Sequence, residues 1–375
     1  MTDAAELWDH VLEAPDDRGR LAVLGDHLQA EGDPRGPLVA LQMAPDSRAV
    51  RDAEDRYRFE HREALLGPLA RSEHPSRVVW RDGFVAELEL VVRGFGDDEA
   101  QMLAELAGRG ALALVRRLRL VGSANYDRVV GQLLRTDWPL LHTLHLGPMS
   151  IGAGRLDLPL QYLFDHLPGL RDLRVEFPGE LGAFEHAGLE RLTLSAHAHQ
   201  LWELSLDRLP ALRAVRLFSR EEPEGPVLDG ALARRLSEVG LHGGLIGAWL
   251  LSPSLPAPDT LMLYDSLQRH RDLIDLQSQR LRGTKVVYPG SRSADRDKLL
   301  TPPEQSRVRR FERSDRFWEI LRNGPVLTMR YGKLGRNGTR RQNTLHSAYQ
   351  AASNYRERVQ AKRDEGFVEV YVPLP

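Results

Sequence analysis

Five cations, Arg330, Lys333, Arg336, Arg340 and Arg341, fall within twelve residues that also hold Tyr331 and three glycines, Gly332, Gly335 and Gly338. That set of side chains suits phosphate. A guanidinium can bind it through two parallel hydrogen bonds, an ammonium acts as a point charge, and an exposed tyrosine can stack on an unpaired or terminal base for about 1–3 kcal/mol. Asn337-Gly338 supplies two residues that tolerate positive φ in a tight turn. The preceding Val326–Tyr331 alternates as a strand, so Arg330 and Tyr331 should point to opposite faces. A plainer reading uses the same residues: Tyr331 faces a core, and the cations protect an edge strand.

Other chemistry is hard to assemble from this chain. It has no Gly-x-Ser-x-Gly elbow, His-Glu-x-x-His helix, phosphate loop of the Walker type or dinucleotide fingerprint. Zero cysteines exclude disulfides, thiolate metal sites and cysteine nucleophiles. His197-x-His199 could put two imidazoles on one strand face, but the sequence nominates no further ligand, so no metal is expected. Asp97-Asp98-Glu99 reads as the acidic first turn of a helix. Neither catalysis nor a cofactor is expected.

Charge is distributed unevenly along the 375 residues. The net −2 conceals −7 over residues 1–75 (9 arginines against 16 carboxylates), −3 over 76–304, and +8 over 305–375 (15 basic, 7 acidic). Fields are screened beyond about 8–10 Å in physiological salt, so the C-terminal excess acts locally. No apolar run approaches the roughly 20 residues of a membrane span, and the acidic start lacks a signal-peptide pattern. A cytoplasmic protein with no membrane partner is the expectation.

The basic run needs elements to hold it. Arg316–Arg322 and Val326–Lys333 read as hairpin strands around Asn323-Gly324-Pro325. A helix follows from about Ser347 to Lys362, with Ser347 and Gln350 as a capping box, an apolar stripe through Ala351, Tyr355 and Val359, and Gly366 past its end; Phe367–Val372 reads as a closing strand. Arg356, Arg358 and Arg363 on that helix could extend the basic patch. Phe317-Trp318-Glu319-Ile320, then Tyr331-Gly332-Lys333-Leu334-Gly335 and the later helix, resemble a WGR domain over about Arg307–Val372. Tyr331-Gly332-Lys333 stands where that family has Trp-Gly-Arg. WGR domains occur in DNA-damage-dependent poly(ADP-ribose) polymerases, where they contact nucleic acid near strand breaks, so the resemblance implies binding and not catalysis.

From about residue 80 to 265 an apolar-x-x-apolar-x-apolar unit recurs at intervals of 19 to 30 residues, for example Val115-x-x-Leu118-x-Leu120, Leu141-x-x-Leu144-x-Leu146 and Leu170-x-x-Leu173-x-Val175. It resembles leucine-rich repeats, which implies a solenoid with a parallel sheet. Alternate positions, Arg119, His145, Arg174, Thr193 and Arg216, would form a row on the concave face and are the candidate protein-binding residues. Upstream, Leu7, Val11 and Leu12, then Leu21, Leu24 and Leu28, recur at helical spacing on two helices broken by Pro15-Asp16-Asp17. Asp16-Asp17-Arg18 through Gly32-Asp33-Pro34-Arg35-Gly36 to Leu41-Gln42 resembles a small bacterial module, the repeat-companion domain.

The expectation is a multidomain α/β plus α+β chain. It has a helical module (1–75), a leucine-rich-repeat-like solenoid (76–287), a linker (288–306) and a WGR-like domain with a small antiparallel sheet and a helix (307–375). Functionally it reads as a non-enzymatic bacterial scaffold. Arg330, Lys333, Arg336, Arg340 and Arg341 would contact the phosphates of nucleic acid, DNA ahead of RNA, at ends or single strands and without sequence readout, with Tyr331 stacking; the solenoid would hold an unidentified protein. The alternative is a protein–protein adaptor in signalling or defence with no nucleic-acid ligand. A third arrangement has the acidic N-terminal module covering the basic domain.

Overall fold

The computed structural model describes residues 4–71, 77–92, 96–122, 126–147, 160–175, 184–195, 208–219, 235–242, 244–251, 257–264, 274, 277–279, 281–288, 308–323, 325–346 and 348–372. The segment expected as two helices continues into a longer helical series: α1 (Ala4–Glu13), α2 (Arg18–Ala30), α3 (Arg35–Met43), α4 (Arg48–Glu60), α5 (Arg62–Leu66) and α6 (Pro68–Arg71). The acidic breaker between the first two is also a start signal. The Asp17 carboxylate accepts hydrogen bonds from the backbone N–H groups of Gly19 and Arg20, satisfying donors that the first turn leaves open. Val11, Leu21, Leu24, Leu28, Leu38 and Val39 are buried.

Strands β1 (Arg77–Arg81) and β2 (Phe84–Val92) then open a ten-stranded sheet. Its later strands are β3 (Arg117–Gly122), β4 (Thr143–Leu146), β5 (Asp172–Val175), β6 (Arg191–Ser195), β7 (Ala214–Phe218), β8 (Glu238–His242), β9 (Thr260–Leu263) and β10 (Lys285–Val287). Strand order follows the sequence from β1 to β10, and every pair from β2 to β10 is parallel. The register is the repeat frame itself. Leu88, Leu118, Leu144, Leu173, Leu192, Val215, Val239 and Leu261 are Cα partners in succession, and all are buried. A one-residue slip would turn that entire apolar row to the other face, which is why a six-residue frame can fix strand pairing. Helices α7 (Asp97–Gly108), α8 (Asp127–Arg135), α9 (Leu160–His166) and α10 (Gly244–Leu251) fall between strands. Asp97, Asp98 and Glu99 do lie in the first turn of α7.

The chain ends in a second sheet of β11 (Arg309–Arg313), β12 (Arg316–Asn323), β13 (Val326–Lys333), β14 (Thr339–Thr344) and β15 (Val368–Val370), with α11 (Ala348–Asp364) preceding the last strand. Its order is β14-β13-β12-β11-β15, with antiparallel pairs throughout. One face carries the core: Phe311, Trp318, Ile320 and Met329 pack with Val359 of α11, and Tyr331, Tyr355 and Phe367 close over them. Both ends of the chain share one compact unit, made of the N-terminal helices, Arg81–Phe84 at the β1–β2 turn, and this small sheet; the large sheet is the other unit. Within the first unit α4 and α5 meet the β15 region. Tyr371 donates its hydroxyl hydrogen to the Asp52 carbonyl at 3.3 Å, its ring lies 5.9 Å from that of Phe59, and the Arg62 guanidinium is 3.9 Å from Glu369. The expected linker lies almost entirely outside the described residues.

Candidate nucleic-acid interface

The basic residues sit on the β13–β14 hairpin at one edge of the small sheet. β13 pairs with β12 on one side and β14 on the other, and among the described residues β14 has no further neighbour in the sheet. All six residues of β14 are exposed. The turn between the strands uses positive φ at Gly335 (77°) and Gly338 (67°). At Gly338 space demands glycine as well as conformation. A Cβ there would stand 2.7 Å from Cζ of Phe317 and 2.8 Å from the carbonyl oxygen of Tyr331. The turn thus folds down onto the Phe317 ring and helps bury it to 2 % exposure.

Pairing decides where each cation points. Arg310 is opposite Glu319, Glu319 opposite Arg330, and Arg330 opposite Arg340, one row running across β11, β12, β13 and β14. Arg330 donates two hydrogen bonds to Glu319, from Nε at 2.7 Å and Nη2 at 2.9 Å, and Arg310 adds a third at 3.2 Å. Both guanidiniums lie over the Phe317 ring, 4.9 and 5.3 Å from its centroid. Arg330, expected as a phosphate ligand, is therefore paired with a buried carboxylate by the alternation that puts Glu319 on its face, while its own side chain stays 43 % exposed. Arg340, next in the row, has no counter-charge among the described residues, and neither do Arg336 and Arg341. Lys333 lies 3.9 Å from Asp315, both side chains largely exposed.

Tyr331 goes the other way. It is opposite Trp318 on β12 and Thr339 on β14 and packs half-buried on the helix-covered core. The ring expected to stack on a base therefore lies half-buried against the domain's own apolar cluster. Arg341, opposite Met329, shares the Tyr331 face, whereas Arg340 shares the Arg330 face. The hairpin brings together Lys333, Arg336, Arg340 and Arg341 as an exposed set, with Arg330 ion-paired and Tyr331 half-buried beside it.

Sequence reasoning missed Glu319 and Arg310. Their signal was the period-two placement of Glu319 after Phe317, but its meaning depended on a register spanning 11 residues. It also missed a second cluster on the opposite face. Arg309 binds Glu369 through Nε at 2.5 Å and Nη2 at 2.6 Å, with Arg363 at 3.4 Å. Burial alone would push the Glu369 carboxyl up, but Arg309, supported by Arg62 and Arg363, outweighs it and holds the group below its ordinary value. Burial also raises Tyr355, which is in contact with Arg309. Arg363 is thus tied to Glu369, while Arg358 is exposed on α11.

On the large sheet Arg119, His145, Arg174, Thr193 and Arg216 are successive Cα partners in one row. Much of its charge is answered within the sheet. Arg119 reaches Glu89 at 2.7 Å and donates to Nδ1 of His145 at 3.2 Å, and Arg216 reaches Glu238 at 2.7 Å. Gly240 makes the last contact possible, since a Cβ there would meet Cγ of Arg216 at 2.8 Å. His145 and Thr193 are buried. His197 and His199 lie outside the described residues. Among those described, no group of three or more metal-ligating side chains occurs, and no helix is long and apolar enough to cross a membrane.

Neither the curated proteins nor the solved structures hold a significant match to this chain. Residues 304–372 match the model of one family, and its span takes in β11 through β15 together with α11. The basic hairpin is part of a WGR domain.

Proposed function

We propose that the chain is a non-enzymatic binding protein whose WGR domain holds nucleic acid, DNA ahead of RNA, by its phosphates and without sequence readout. WGR domains are generally nucleic-acid-binding modules. The observation that carries the reading is the fully exposed edge strand β14, with Arg340 and Arg341 on it and Arg336 and Lys333 beside it. Phosphate contacts position a protein without specifying a base, and nothing in this hairpin reads as a groove-inserted recognition helix. The ten-stranded sheet is proposed to be a leucine-rich-repeat-like solenoid that holds a protein partner. Arg174 and Arg216 are its candidate contacts, because its strands repeat one frame in sequence order.

The test is fluorescence anisotropy of the full chain with labelled duplex DNA over a salt series. With four cations available, log K should fall with log salt at a slope no steeper than about −4, from 0.9 per phosphate neutralised. Arg340→Glu with Arg341→Glu should flatten it by about 2. A flat salt response, or no binding at low salt, would end the nucleic-acid reading.

A further inference from the structure

The hairpin carries its charge on the exposed edge, and its aromatics are buried or half-buried. Phe317 and Trp318 are buried at 2 % and 5 % exposure, and Tyr331 packs against the core. Among the described residues of the hairpin, the one large apolar side chain counted as exposed is Leu334 at the turn, an aliphatic group. Proteins that hold single strands or splayed ends draw much of their affinity from stacking bases on exposed rings. Among the described residues of this surface no ring is fully exposed, Tyr331 being half-buried. What remains is an edge of six residues, about 20 Å long at roughly 3.3 Å per residue, carrying Arg340 on one face, Arg341 on the other, and Lys333 and Arg336 at its turn.

We infer that the ligand of this edge is continuous duplex backbone, bound by charge alone, so that ends, nicks and single strands confer no advantage. The inference rests on the nucleic-acid reading above and narrows its ligand class, replacing the ends and single strands expected from Tyr331. A duplex suits this edge in charge and in shape. Electrostatic attraction follows phosphate density, which in a duplex is one charge per about 1.7 Å of axis, and counterion release per contact is smaller for single strands, about 0.7 against 0.9. Arg340 and Arg341 project from opposite faces of one thin edge, so they suit phosphates on either side of it rather than a base plane laid against one face. Arg330 does not join them. It is a positioning residue that neutralises Glu319 beneath the ridge.

The experiment is competition for a labelled duplex by four forms of one sequence at equal nucleotide concentration: a covalently closed minicircle, its linear form, its singly nicked form and the denatured strand. The full chain is used at low salt. The expected result is circle, linear and nicked forms within about 2-fold of each other and the single strand weaker. A nicked or linear form competing 10-fold better than the circle, or a single strand competing best, overturns the inference while leaving nucleic-acid binding intact. Failure of all four to compete, with no binding of the labelled duplex itself, overturns both. As a second measurement, Tyr331→Leu that remains folded by circular dichroism should keep wild-type affinity; a 10-fold loss would restore the ring to the interface and refute the assignment.

Discussion

Arg330 and Arg340 stand opposite each other on neighbouring strands and look equivalent in the sequence, yet their surroundings give them different work. Arg330 is hydrogen-bonded to a carboxylate with 7 % exposure and lies on a buried ring, whereas Arg340 points into solvent. Arg330→Ala should therefore cost stability, about 1 kcal/mol after allowing for its exposure, because Glu319 would retain only the longer hydrogen bond from Arg310. Arg340→Ala should stay within about 0.5 kcal/mol of wild type in urea denaturation while weakening duplex binding. Equal effects of the two on both measurements would contradict this division. The cations and their excess charge could be read directly from the sequence. Which of them were spoken for could not, since Glu319 meets Arg330 through strand register rather than proximity in the chain.

At the level of elements, the strands of the large sheet were legible because the apolar frame and the strand register are one pattern. Eight consecutive apolar residues, from Leu88 to Leu261, mark the same level of successive strands. The hairpin strands and the C-terminal helix were also readable, within two residues at each end. β11 was not foreseen, because Arg309-Arg310-Phe311-Glu312-Arg313 offers one apolar residue, and its partners lie on β12 and β15, the latter some 60 residues away. The turn glycines divide by their surroundings. Gly338→Ala combines positive φ with contacts under 3.0 Å to Phe317 and to the Tyr331 backbone, so it should destabilise the domain by more than about 1 kcal/mol. Gly335→Asn, at positive φ in open space, should be tolerated within about 1 kcal/mol. Thermal unfolding of the two variants makes the comparison; a greater loss at Gly335 would refute it.

Over the whole molecule, the segment charges suggested an acidic module laid over a basic one, and the contacts found run differently. The acidic module supplies cations: Arg62 approaches Glu369, and Arg56 lies 5.8 Å from the Tyr371 ring. These contacts are beside β15, the opposite edge of the sheet from β14. Arg62→Glu should therefore reduce stability and leave duplex affinity within about 2-fold; a large gain in affinity would instead indicate masking. The same cluster predicts a pH dependence. Glu369 has a folded-state pKa held below its ordinary value of 4.5, so its contribution is complete above that value and is lost as pH falls through the lowered one. The difference in unfolding temperature between wild type and Glu369→Gln should be full at pH 7 and shrink progressively below about pH 4.5. A constant difference would mean that the carboxylate charge is not what matters.

One compact unit draws on both ends of the chain, with the large sheet's residues between them. During synthesis, α4 and α5 emerge before the large sheet and Glu369 and Tyr371 after it, so these helices must wait for the whole of that sheet before those contacts can form. The large sheet is under no such constraint, since each strand pairs with the one made just before it and can add to the growing edge in order. Helices α4 and α5 thus complete their native contacts only after the sheet that follows them in the chain. A ribosome-stalled chain ending near residue 292 should hold a protease-resistant large sheet while α4 and α5 remain susceptible to cleavage.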